Sequence, residues 1–275
     1  MFSNDNGYSK VEIWGFINGF FVQTTNFMLL SDAPARASLQ HVKAFMAYNA
    51  CSFCRIKGTY DGKMIFPFRG IETNRSDTAY AAGQDNNQND NVSPLASVIR
   101  LRSDMPPDYM HIVCLGVVRR LMNYFTTTQH GLYRCKLSRQ EIENLMDGYV
   151  LKLPVEFSRP IRSLKQMSYF KASEYRTWLL YAGPVLFRNC LKAEFYEHFI
   201  SLHCAITILG STRLSHMNSS AQTCIESFCQ NIETLFGQSQ CTFNCHCLLH
   251  LPEFSSKMGP LDTFSCFPYE SFLYK

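Results

Sequence analysis

The stretch Cys51–Pro67, CSFCRIKGTYDGKMIFP, decides how the chain must close on itself. Two thiols three residues apart can hold half of a tetrahedral metal site, with zinc–sulfur bonds of about 2.3 Å, but a structural zinc generally takes four protein ligands. No second Cys-x-x-Cys pair lies nearby, so the missing half comes from a distant segment, or the two thiols pack as small hydrophobes. The spacing-based completion is DYMHIVC (108–114), where His111 and Cys114 fall on one helical face and give a Cys3His set with Cys51 and Cys54. Asp108, one turn before His111, serves either as a further ligand or as the carboxylate that orients the imidazole.

A second dense cluster, CTFNCHCLLHL (241–251), carries Cys241, Cys245, His246, Cys247 and His250. Its leucines suit a core segment and it contains no Cys-x-x-Cys pair, so core packing is the expectation, with a redox or metal role as the alternative.

Around these clusters the chain is that of a packed protein. Its 275 residues are 46% apolar and 14% aromatic, enough for a sizeable core, and the net charge of +4 is too small to demand a polyanionic partner. Twelve cysteines in a chain of this size point to a reducing compartment rather than a disulfide framework. The N-terminus has Asp5 and Glu12 before any apolar run, unlike a secretory leader, and no apolar stretch reaches membrane-spanning length, so a soluble protein without membrane contact is expected.

Three regions are predicted: 1–69, a polar connection over 70–92 rich in Asn, Asp and Gln, and a mostly helical region over 93–275. NFMLLSDAPARA (26–37) reads as a strand ending in Asp32 and then a helix. Helices are predicted from Asp108 to the polar TTTQHG, from Ser138 with a capping box to Glu141, through SEYRTWLLYAGPVLF with an interruption at Gly183-Pro184, and in two further segments ending at Gly210 and Gly237. Arg159, Arg162 and Lys165, interleaved with Phe157, Tyr169 and Phe170, could contact nucleic-acid phosphates or line a solvated loop. Phosphate-loop, nucleophile-elbow, zinc-protease and dinucleotide fingerprints are absent from the sequence.

Taken in order, LLSDAPARA, CSFCRIKG, PPDYMHIVCLGVVRRLM, LPVEFSRPIRSL, KASEYRTWLLYAGPVL, LLHL and GPLDTFSCFPYESFL resemble the transposase-like proteins related to CACTA (En/Spm) DNA transposons. The resemblance runs from about Asp32 to the end. It implies an α+β fold with a partial RNase H-like mixed sheet near residues 11–35 and a mostly helical remainder. It pairs Cys51 and Cys54 with Asp108 and His111 as family hallmarks, and a structural zinc there is the inference from ligand type. Asp32 looks like the second catalytic aspartate and Glu270 like the third acidic residue of a site for two Mg2+ ions. The implied chemistry is metal-dependent cleavage and strand transfer of DNA in the nucleus. No residue before Asp32 matches the family's first aspartate, which makes a degenerate enzyme the expectation. The alternative is a non-enzymatic DNA- or protein-binding module of the same descent.

Overall fold

The computed structural model describes residues 13–17 and 20–24 as backbone ladders, and residues 28–126, 140–142, 144 and 161–269 in full. Strands β1 (Ile13–Ile17) and β2 (Phe20–Thr24) pair antiparallel, from Ile13 opposite Thr24 to Ile17 opposite Phe20. Within the opening stretch, β3 (Thr59–Asp61) and β4 (Lys63–Ile65) form a second hairpin around Gly62, whose φ of +66° suits glycine in a tight turn. These two pairs are the sheets found among the described residues. The mixed sheet expected near 11–35 is thus represented there by one antiparallel pair, and residues 28–32 carry no strand.

Helix α1 (Ala33–Gln40) starts where the sequence places it. Asp32 is its N-cap, accepting the Ala35 N–H at 2.8 Å, and His41 ends it in the left-handed region at φ 53°. The polar segment 70–92 is exposed over most of its length but is anchored by a helix and by buried polar side chains. It contains α2 (Asp77–Ala81) and buries Arg75, Asp85, Asn87 and Gln88. Composition misleads here because the buried polar groups satisfy one another, as with the buried Arg75–Asp85 ion pair.

Among the described residues the remainder is mostly helical, as predicted. A wide-turn stretch Met110–Val118 runs into α3 (Arg119–Thr126) and buries Val113, Val117, Val118, Leu121, Met122 and Phe125. The helix predicted from Ser138 falls largely outside the described residues. α4 (Ala172–Thr177) continues through a wide turn, Trp178–Ala182, into α5 (Gly183–Cys190). The interruption expected at Gly183-Pro184 therefore takes the form of a widened turn ahead of the proline, which supplies no N–H, rather than a break.

The two longest helices among the described residues, α6 (Ala193–Leu209) and α7 (Asn218–Phe236), pack side by side, burying Phe199, Leu202 and Ile206 with Ile225, Phe228 and Ile232. α8 (Phe243–Cys247) and α9 (Leu251–Met258), joined by the tight turn Leu248–His250, close the body. One continuous core links Cys51, Phe53 and Cys54 to these helices, and a smaller one gathers Val42, Tyr80, Ile99, Leu101 and Met105. Among the described residues no helix is long and apolar enough to cross a membrane.

Candidate metal centre

Four side chains from two distant segments meet in the main core. Cys51 and Cys54 are 0% and 2% exposed, and their sulfurs lie 3.7 Å apart. The thiol turn is shaped by its own backbone: the N–H groups of Phe53 and Cys54 donate to Cys51 Sγ at 3.3 and 3.4 Å. Opposite them stand His246 on α8 and His250 on the following turn, four residues apart and so on one face. Cys51 Sγ lies 3.3 Å from His250 Nε2, Cys54 Sγ 3.3 Å from His246 Nε2, and the two Nε2 atoms 3.3 Å from each other.

Those separations are the test of whether a metal fits. A tetrahedron with zinc–sulfur bonds of about 2.3 Å and zinc–nitrogen bonds of about 2.0–2.1 Å has edges of roughly 3.7 Å between sulfurs, 3.5 Å between sulfur and nitrogen, and 3.3 Å between nitrogens. The four contacts match these edges, and all four ligand atoms lie within 4.8 Å of one another. Cys51, Cys54, His246 and His250 therefore make a buried Cys2His2 set that could hold a metal such as zinc.

The electrostatics divide the ligands: Cys51 and His250 are shifted towards the forms a metal takes, and Cys54 is shifted away from it. Burial alone would push the Cys51 thiol up, but the Cys54 hydrogen bond and the neighbouring histidines outweigh it and hold Cys51 well below the ordinary thiol range. Cys54, hydrogen-bonded to Cys51 and buried, is pushed up. Burial lowers His250, favouring the neutral imidazole that a metal requires.

The ligand set expected from spacing is corrected. His111 and Cys114 do not join the thiol pair. Asp108 and His111 instead group with Cys266. There the Asp108 Oδ2 to His111 Nδ1 separation is 2.6 Å, a hydrogen bond and too short for two ligands on one tetrahedral edge. Asp108 also accepts the backbone N–H groups of His111 at 2.9 Å and Cys266 at 2.8 Å. Burial would raise this carboxyl, but the His111 and Cys266 hydrogen bonds outweigh it and keep it below its usual value. Asp108 thus orients His111, one of its two expected roles, at a place separate from the Cys2His2 set. Cys114 lies buried, its thiol pushed up to about 12 by burial, in contact with Tyr109.

The physical reason is that the thiol turn docks on α8 rather than on the Met110–Val118 helix face. In the 241–251 cluster the two readings divide by residue type. Burial raises the thiols of Cys241, Cys245 and Cys247, which pack as core residues, whereas His246 and His250 face the ligand site. The signal that could have found them is the His-x-x-x-His spacing on a helix.

Of the other sequence candidates, Asp32 is the α1 cap. Glu270 and Arg159 lie outside the described residues. Arg162 is committed within the fold, its fork donating to Glu174 at 2.9 and 2.6 Å and its guanidinium lying over Phe170. Lys165 is exposed on the short turn Leu164–Tyr169.

No protein-family model matches the chain, and no curated protein matches it.

Proposed function

We propose that this chain is a transposase-like protein of the CACTA type, its core organised by one structural Zn2+, which binds DNA in the nucleus while cleavage is ancestral. The observation that carries the metal part is the buried Cys51–Cys54–His246–His250 set with tetrahedral edges. Four protein ligands leave no open coordination position, so this metal would hold the fold rather than activate water.

The RNase H-like reading draws support from a convergence of the segments that the resemblance singles out. The α1 region carrying Asp32 is tied to the stretch before Asp108 by the Leu29 N–H donating to Asp104 O and by Arg36 donating to the Pro106 carbonyl. Cys266, four residues before Glu270, donates its N–H to Asp108. In an active relative, Asp32 and Glu270 would share Mg2+.

The loss of cleavage is favoured by a specific observation. One Asp32 oxygen is committed to the α1 cap, and among the described residues no group of potential ligands includes Asp32. The test is incubation of the purified, zinc-loaded chain with plasmid DNA and Mn2+, with Asp32→Asn as control, alongside a salt titration of DNA binding. The expected result is no nicking and an affinity that falls steeply with salt, because neutralised phosphates release counterions. Nicking abolished by Asp32→Asn would overturn the inactivity, and absence of DNA binding would overturn the DNA assignment.

A further inference from the structure

The thiol half and the imidazole half of the ligand set are also joined by a route that needs no metal. The carbonyls of Cys51, Ser52 and Phe53 in the thiol turn are each held by a side chain or backbone donor from elsewhere. Cys51 O accepts Arg75 Nε at 2.7 Å and Asn87 Nδ2 at 3.2 Å. Ser52 O accepts the Tyr80 hydroxyl at 3.1 Å. Phe53 O accepts the Arg75 N–H at 2.9 Å and Arg102 Nε at 3.1 Å.

Arg102 does more than hold the turn. Its two terminal nitrogens donate to the two oxygens of Glu253 at 2.8 and 2.6 Å, a fork-to-fork pair with side chains only 6% and 24% exposed. Glu253 stands in the first turn of α9, three residues after His250. One guanidinium therefore bonds the carbonyl of Phe53, between the two thiols, and a carboxylate beside the imidazoles. Its own backbone N–H is fixed by Asp77 Oδ1 at 2.7 Å. The Phe53 ring completes the bridge, 5.0 Å from the His250 ring and 5.3 Å from Phe254.

We propose that the Arg102–Glu253 pair is a metal-independent clamp that keeps the two halves of the ligand set in register, making Arg102 a positioning residue that sets the affinity for Zn2+. This rests on the metal assignment above. Outer groups that orient ligands alter metal affinity by about 10–100-fold when removed. A merely structural ion pair behaves differently: its loss destabilises the metal-free and metal-loaded folds equally and leaves the affinity between them unchanged. The clamp acts on the difference, because without it the metal-free site relaxes and the ion must reassemble it.

The test is competition for Zn2+ between the full chain and a chromophoric chelator, for wild type, Arg102→Lys, Glu253→Gln and, as control, Glu233→Gln. Glu233 pairs with Arg69 at the surface. Arg102→Lys keeps the charge but loses the fork, and Glu253→Gln keeps the shape but loses the charge. Zinc affinity is expected to fall about 10–100-fold in both clamp variants and to stay unchanged in Glu233→Gln. Co2+ absorption should retain its Cys2His2 signature in all of them. Clamp variants that bind zinc as tightly as wild type would overturn the clamp and leave the metal site standing, whereas a wild type that binds no zinc would overturn both. Should Arg102→Lys fail to fold, Glu253→Gln carries the same comparison.

Discussion

At the scale of single residues, the ligand cysteine and a buried histidine make opposite demands on solvent chemistry. Replacing Cys51 by Ser removes one corner of the tetrahedron, and because structural zinc contributes directly to folding, zinc content should fall from one ion per chain to none. The melting temperature should drop by roughly 10 °C, taking a loss of a few kcal/mol in a chain of this size. Elemental analysis and calorimetry check both numbers. His198 is 3% exposed, stacked 4.1 Å over Phe228, and neither ring nitrogen has a partner among the described residues. Burial lowers it from 6.5 to about 3. Its folded value lies below its unfolded value, so the unfolded chain takes up the proton first, and stability is lost as pH falls from about 6.5 towards 3. At pH 5 that loss is about 2 kcal/mol. His198→Phe, which keeps the stacked ring, should flatten the pH 5–7 part of a denaturation series, and an unchanged slope would show that His198 does not report there. His198 announced nothing of this in the sequence, where it stands among other polar residues of the same helix, Glu194, Glu197, Ser201 and His203.

At the scale of elements, the sequence was most legible where periodicity spans several turns. The helices ending at Gly210 and Gly237 fall within a residue of their expected ends, because Phe199, Leu202 and Ile206 on one and Ile225, Phe228 and Ile232 on the other repeat at helical spacing. The Gly183-Pro184 pair was legible as a disturbance but not as a widened turn, since what it permits is set by a neighbour. A Cβ on Gly183 would stand 2.5 Å from Phe199 Cζ and 2.5 Å from the Trp178 carbonyl oxygen. Gly183→Ala should therefore destabilise the protein by about 1–3 kcal/mol, the overpacking cost exceeding the gain in helix propensity of about 1 kcal/mol. Urea denaturation measures it, and a neutral or stabilised variant would mean that α5 and α6 can part at little cost. The segment 70–92 was illegible for a converse reason. Arg75, Asp85 and Asn87 look solvated one at a time, and only their mutual contacts let them be buried.

For the molecule as a whole, the ligand set ties together positions 192 and 199 residues apart, across nearly the whole described chain. Half of this was readable, since a metal at Cys51-x-x-Cys54 requires ligands from a distant segment. The identity of that partner was hidden because His246 and His250 sit among leucines and cysteines that read as core, which the cysteines are. Treated as a cross-link closing a loop of about 200 residues, the metal would remove roughly 5 kcal/mol of conformational freedom from the unfolded chain. Zinc-loaded protein should consequently resist proteolysis that digests the chelator-treated form, with protection restored by added Zn2+. Equal digestion of both forms would show that the Arg102–Glu253 clamp and the core suffice without the ion. The same long closure has a consequence in time. A chain that emerges at about 5–20 residues per second exposes its thiol turn some 10–40 s before the histidines that complete the set are made. During that interval the nascent protein offers a bare pair of sulfurs to oxidants and to softer ions such as Cu(I), so, if the set takes zinc, the thiol turn is the part of the chain most open to mismetallation and oxidation before folding.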